Sequence, residues 1–319
     1  MIYFIFDNPE DKNKMEFLYE YGTKGYQQVY PEHQLLGMRE MAFFVKECIS
    51  NTTEKDQLIF WYDFMGILCW WICRLTCKKR KIIILNILLK DKKTKKNVLA
   101  KFLYKNVLID KNVVATVTSR EYGQWLNQLL GLKRDYPLLH DIYYGDVVNQ
   151  KCSSEGYVFC GGRNGRDWNM LLDVAKEIPN ISFKCVMPRS TFYSLHNIPT
   201  NAEIYCDIPE QEFLCLLEKS SLVAMPLDTD APAGLIALFQ AGMYKKLVIT
   251  SNTPVTREYI SFDRGVLCST KEEWISAIKQ YTTNTDEGNK KAENFNGFLN
   301  KECSKEIYAK ELVKLVRGE

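Results

Sequence analysis

Histidine is scarce in this chain, and its cysteines are unpaired in spacing. Three histidines stand among 319 residues, His33, His140 and His196. Eleven cysteines are scattered with no Cys-x-x-Cys pair, so the close ligand pairs of a structural zinc site are missing. Cys69, Cys73 and Cys77 recur at helical spacing, which stacks them on one face without supplying a fourth ligand. No metal is expected. The N-terminus lacks a secretory signal pattern, and unpaired thiols fit a reducing, cytoplasmic setting. No internal repeat or low-complexity tract is present. An uninterrupted membrane-length apolar run is also missing. Leu58 to Cys77 comes nearest, but Asp63, Gly66 and Arg74 interrupt it, and it divides into a strand and a helix.

What is present describes a globular chain, 46% hydrophobic and 25% charged. Its length is enough for two domain cores. The net charge of +3 is small, but unevenly spread. From Lys78 to Lys105 eleven basic residues face one acid, Asp91, so this stretch carries +10 and the remainder −7. Such a stretch favours a phosphorylated or membrane-surface partner over nucleic acid, or else is a solvated face.

Strand and helix patterns alternate along the whole chain. Strands are expected at Ile2–Phe6, Gln27–Tyr30, Leu58–Tyr62, Lys81–Leu89 and Val113–Val117. Helices are expected over Leu35–Ile49, up to Cys77, over Val98–Leu108 with lysines on the outer face, and over Tyr122–Leu130. A second series begins with Tyr157–Cys160 and continues with Ser182–Met187, Glu203–Tyr205, Leu222–Met225, Leu247–Thr250 and Val266–Cys268. Thr283–Lys290 reads as a polar surface connection, and Glu302–Val316 as an amphipathic helix. Alternation of this kind predicts an α/β protein with parallel sheets covered on both faces. A cluster of Gly, Asn, Gln and Ser near Gly145–Glu155 sets the expected domains at 1–148 and 149–300, with 301–319 a terminal helix.

Leu222 to Thr250 organises the second half. Strand Leu222–Met225 runs into a loop with Pro226 and Pro232, and a helix opens at Ala233-Gly234-Leu235. Free N–H groups at such a helix start suit a diphosphate. Upstream, Tyr157–Cys160 leads into Gly161-Gly162-Arg163-Asn164-Gly165-Arg166, a second phosphate cradle.

These motifs resemble the nucleotide-sugar module of GT-B glycosyltransferases, most closely those of glycosyltransferase family 4. The resemblance rests on Gly234-Leu235, Gln240-Ala241, Lys245-Lys246 and Val248-Ile249 in that order, and on the Gly162-Arg163 turn. It covers about Tyr157 to Ile260 well and the remainder loosely. It implies two Rossmann-like domains with their sheets facing across a cleft. Gly162, Arg163, Arg166, Ala233, Gly234 and Leu235 would bind the donor diphosphate. Met187, Pro188 and Ile208 would line the nucleobase slot. The family usually carries two glutamates here; Gln240 stands in the second place and Ala231–Pro232 in the first, leaving Asp228 and Asp230 as the nearest acids for ribose or sugar. On the N-domain side Asp7, Asp63, Ser119 and Arg120 would border the cleft, and the terminal helix would cross back to that domain. His33 and Asp230 are the catalytic candidates.

The implied activity is hexosyl transfer from a nucleoside-diphosphate sugar to a hydroxyl of a saccharide or lipid-linked saccharide, of the kind found in polysaccharide biosynthesis. It would retain configuration and use neither cofactor nor metal. A lipid-linked acceptor would bring peripheral contact with an anionic membrane. The missing glutamates leave open a non-catalytic subunit of the same fold that holds a nucleotide or partner. A nucleotide-sugar epimerase or hydrolase is a further alternative, one that needs acids or histidines placed for proton transfer.

Overall fold

The computed structural model describes residues 1–23, 25–143 and 154–318, with Asn13 and Lys14 as backbone alone. It divides into two units, Met1–Asp141 with Lys305–Glu319, and Ile142–Ser304. The expected domain junction at 148/149 lies outside the described residues.

The first unit is built on a five-stranded sheet, β1 (Ile2–Ile5), β2 (Tyr26–Val29), β3 (Gln57–Phe60), β4 (Lys81–Ile84) and β5 (Val113–Ala115), in the order β2-β1-β3-β4-β5. Every pairing is parallel. The strands read as continuous apolar runs because both faces are covered: Phe4, Ile5, Leu58, Ile59, Phe60, Ile83 and Ile84 are at most 1% exposed. Helices Met38–Ser50, Asp63–Leu75, Lys95–Ile109 and Arg120–Leu130 connect them. The helix Lys305–Arg317 belongs to this unit too, packing on Phe17–Glu20, with Tyr308 edge-on to Phe17 and Trp61.

Three expectations need correction here. The strand expected over Lys81–Leu89 ends at Ile84. Leu85, Ile87 and Leu89 are buried, but in a loop that turns at Asn86 (φ 48°) and bonds to Thr116 and Asp63 instead of a strand. Cys77 does not extend the Cys69–Cys73 face, because the helix stops at Leu75 and Cys77 takes φ 53°. The helix Lys95–Ile109 does not show only lysine outward, since Val98, Leu99, Phe102 and Ile109 are exposed as well. Among the described residues no group of His, Cys, Asp and Glu is placed to hold a metal, and no helix is long and apolar enough to cross a membrane.

The second unit carries β6 (Tyr157–Gly161), β7 (Ser182–Met187), β8 (Ala202–Cys206), β9 (Leu222–Met225), β10 (Leu247–Ser251) and β11 (Val266–Cys268), in the order β11-β10-β9-β6-β7-β8. All six are parallel. The chain winds outward from β6 to β8 on one side and from β9 to β11 on the other. That is the doubly wound Rossmann order, which opens a crevice at the carboxyl ends of its two central strands. The helix Leu235–Met243 is apolar nearly all round and almost wholly buried, covered by the helix Thr285–Glu302. This second helix replaces the connection expected over Thr283–Lys290. Its polar start hides a buried stripe of Gly288, Lys291, Ala292, Phe295 and Leu299. Lys291 belongs in that stripe because its ammonium group donates to the Phe262 carbonyl and sits 4.1 Å over the Phe262 ring.

Candidate functional site

β6 and β9 are neighbours, paired through Val158–Leu222 and Phe159–Val223, and their outgoing loops meet at the crevice. The loops are stitched together. Arg166 and Leu227 form an antiparallel bridge, the Asp167 N–H donates to the Pro226 carbonyl (3.2 Å), and the Asp228 N–H to that of Gly165 (3.2 Å). Asp167 then caps the helix Trp168–Glu177 by accepting from the Met170 N–H at 3.1 Å.

The two arginines of the glycine-rich turn have different surroundings. Arg166 is 7% exposed; its Nε donates to the Gly161 carbonyl (3.1 Å) and one Nη to that of Asn164 (3.3 Å). Burial lowers its pKa, while the Asp228 charge favours its cation. Its guanidinium fills the space that a side chain at Gly162 or Gly234 would need. A Cβ at these positions would stand 2.6 Å and 2.5 Å from its Nη atoms. Both glycines also take positive φ, +143° and +76°, so they are required on two counts. Arg163 is exposed and makes no hydrogen bond or ion pair among the described residues. One arginine is built into the loop, and the other is free to meet a ligand.

Gly234 caps the helix Leu235–Met243 and packs directly against the Arg166 guanidinium. A helix N-terminus with a cation beneath it favours an anion. Ala233 and Leu235 are buried, so they contribute backbone, not side chain.

Beside this start lies a concavity of about 360 Å³, within the size range of small-molecule sites. It brings together Gly162, Arg163, Met187, Pro188, Ile208 and Gln240. Met187 ends β7 opposite Cys206 at the end of β8, so the 188 and 208 turns stand side by side. Asp207 ties them, accepting from the Arg189 N–H at 3.2 Å while its backbone takes φ 52°. Four lining residues were not foreseen: Val186, Glu210, Phe213 and Ile236. Phe213 packs edge-on against Phe159, 5.1 Å between ring centroids, and closes the floor over Gly161. Ile236 is the exposed member of an otherwise buried helix, at 66%. Nothing in the local pattern separates it from its buried neighbours.

Asp228 and Asp230 are not in this concavity. Both are exposed and border a separate polar hollow with Asp167, Ser251, Thr253 and Ser269. The hollow that holds Gln240 contains Asp207 and Glu210 as its acids instead.

In the first unit the corresponding reversal of strand order falls between β1 and β3. Asp7 follows β1, and burial raises its pKa. Asp63 opens the helix after β3 and is 2% exposed. Its carboxylate accepts from the Leu88 N–H (2.8 Å) and the Tyr104 hydroxyl (2.9 Å). Burial nevertheless pushes its pKa up to about 6, against those bonds and with help from the Asp7 charge. Ser119 is fully buried and caps the helix Arg120–Leu130 through the Tyr122 N–H at 3.3 Å. Arg120 is exposed at that helix's first position, and His33 is exposed in the connection after β2.

No protein-family model and no curated protein sequence matches the chain. Solved structures do match over its full length. Sucrose-phosphate synthase from Thermosynechococcus elongatus superposes with a TM-score of 0.77 at 11% identity, covering 100% of this chain and 98% of that one. Anabaena Alr3699/HepE in complex with UDP-glucose gives 0.73 at 11%, covering 100% of both chains. A glycosyltransferase from Rickettsia africae gives 0.65 at 12%, covering 99% and 98%. The chain therefore has the GT-B glycosyltransferase fold, as the glycine-rich turn and the Gly234-Leu235 helix start led us to expect.

Proposed function

We propose that this protein transfers a hexose from a nucleoside-diphosphate sugar to a hydroxyl of a saccharide or lipid-linked saccharide, in the manner of glycosyltransferase family 4. One observation carries the reading. A single concavity at the crevice of the second sheet gathers a free cation, Arg163, a close-approach glycine, Gly162, and an apolar slot of Met187, Pro188 and Ile208. Cation and helix start suit a diphosphate, and the slot suits a flat base. UDP is the natural probe, since HepE is known in complex with it.

In the transfer, the bond from the anomeric carbon to the diphosphate oxygen breaks as a bond to the acceptor oxygen forms, and the acceptor hydroxyl loses its proton. Negative charge grows on the leaving diphosphate. Arg163, the buried charge of Arg166 and the N–H groups at Gly234–Leu235 would stabilise it, the last two held in place before the reaction begins. On this reading the transfer uses no metal. Gln240, 7% exposed and on the pocket wall, can donate and accept hydrogen bonds to ribose. Retention of configuration follows the family 4 likeness. His33 and Asp230 stay candidates for proton transfer.

A second reading is a subunit of the same fold that holds a nucleotide without transfer. It is favoured by the neutral Gln240 and by Asp228 and Asp230 bordering another hollow. The deciding experiment incubates the purified chain with a panel of UDP-sugars and saccharide or lipid-linked acceptors. Acceptor-stimulated release of UDP with a glycosylated product supports transfer. Tight UDP binding with no product under any pairing supports the binding subunit.

A further inference from the structure

We infer that the exposed face of the helix Lys95–Ile109, with the neighbouring end of the helix Asp63–Leu75, is a docking surface for an anionic lipid membrane. The inference adds a surface to the function proposed above, and rests on it only in that the acceptor is lipid-linked.

The helix Lys95–Ile109 has two apolar faces. Tyr104, Val107 and Leu108 face the core. Val98, Leu99, Phe102 and Ile109 face outward, 67%, 57%, 56% and 57% exposed. Their spacing places them on one arc of the helix, with Lys95 and Lys105 on the same arc. The patch continues onto the preceding helix. The Trp71 ring lies 6.0 Å from that of Phe102, and Leu75, one turn beyond Trp71, is 78% exposed. Scattered exposed apolar residues are ordinary, but a contiguous stripe over two helices marks a surface with a partner.

The charge around the stripe selects the partner. Lys92, Lys93, Lys95 and Lys96 are exposed at the start of the helix, Lys78 and Lys79 lie just past Leu75, and Lys105 sits within the arc. The only acid from Lys78 to Lys105, Asp91, is already paired with Lys101 at 2.5 Å. A second copy of this chain would set these exposed lysines against their own counterparts, so the charge opposes self-association. A neutral apolar partner would leave the lysines unused. An anionic bilayer surface answers both features: lysine heads reach the phosphate layer while Val98, Leu99 and Phe102 enter the headgroup boundary.

The test is co-sedimentation of the full chain with phosphatidylglycerol-containing vesicles and with phosphatidylcholine vesicles, across a salt series. Two variants accompany it: one with Leu99→Ser and Phe102→Ser, the other with Lys92, Lys93, Lys95 and Lys96 changed to Gln. All six residues are exposed, and unchanged UDP affinity checks that each variant is folded. The expected result is pelleting with the anionic vesicles only, release as salt rises, and at least about a tenfold fall in partitioning for each variant. Equal pelleting with both vesicle types, no pelleting, or retention by either variant would overturn the inference. So would a concentration-dependent dimer of the wild type that the serine variant loses, which would give the face to a second copy. Absent UDP binding together with normal vesicle binding would count against the donor site and leave this surface standing.

Discussion

The two sheets reverse their strand order at equivalent places, and the loops there carry opposite chemistry. In the second unit the loops after β6 and β9 hold glycines, two arginines and a helix start. In the first unit the loops after β1 and β3 hold carboxylates, Asp7 and Asp63. Both pairs of loops occupy the crevice that a parallel sheet opens at a reversal of order. The backbone thus supplies the location twice, but among the described residues it is the second crevice that gathers arginines and a helix start, the groups the proposed diphosphate site needs. In the first, the acid is spent on the protein itself, since Asp63 holds the Leu88 N–H and the Tyr104 hydroxyl and so fastens the loop after β4. Topology fixes where a site can be, and side chains decide what it accepts.

The comparison breaks most readily at Arg166. If its guanidinium props the two loops, Arg166→Ala should cost about 3 kcal/mol of stability, through two orphaned carbonyls and a buried void. It should weaken UDP binding as well. Urea unfolding with a midpoint like that of wild type would mean that Arg166 is not a prop.

Asp63 tests the other crevice through pH. Its native pKa, about 6, lies above the ordinary carboxylate value of 3.8, so between those values the native state holds a proton that the unfolded chain has lost. Folding stability from this group is full below pH 4 and falls as pH rises through 6, by roughly 3 kcal/mol in all. Asp63→Asn removes the titration and keeps an acceptor oxygen, so denaturant midpoints at pH 4.5 and 7.5 should differ less in the variant than in wild type. Equal pH dependence in both proteins would mean that the Asp63 carboxyl titrates normally.

Arg163→Ala should leave the unfolding midpoint within about 0.5 kcal/mol of wild type, because the side chain is exposed. UDP affinity should nonetheless drop by about 1.5–3 kcal/mol, the range for a charge-assisted contact. This separation of binding from stability is what distinguishes Arg163 from Arg166. A stability loss matching that of Arg166→Ala would erase the distinction.

The smallest effect is expected at Gln240. Replacement by Leu removes one hydrogen bond worth about 1 kcal/mol and should raise the donor KM several-fold, while Glu should be tolerated. Identical KM values for wild type and Leu would make the position core.

Much of the fold was legible because buried parallel strands are continuous apolar runs. Ser182–Met187, Leu222–Met225 and Val266–Cys268 match their strands residue for residue. The errors share a physical cause: tertiary surroundings reversed a local pattern. Leu85–Leu89 is apolar because it is a buried loop bonded to Asp63 and Thr116, and apolarity alone cannot separate such a loop from a strand. The helix Thr285–Glu302 begins with polar residues, and its buried Lys291 could not be read as core before the Phe262 ring was seen beneath its ammonium group. At the site, the glycine-rich turn after β6 and the helix start at Gly234 were legible as turns. The separate surroundings of Arg163 and Arg166 were not, because they depend on which guanidinium slips under Gly234.

The central claim is that the concavity beside Gly162 and Gln240 binds a nucleoside diphosphate. Calorimetric titration of the full chain with UDP tests it most directly, in wild type and in a variant combining Arg163→Ala with Gln240→Leu. The account predicts saturable one-to-one binding that weakens at least about tenfold in the variant, with the unfolding midpoint preserved. Equal affinity in the two proteins, or no binding by wild type, would contradict it.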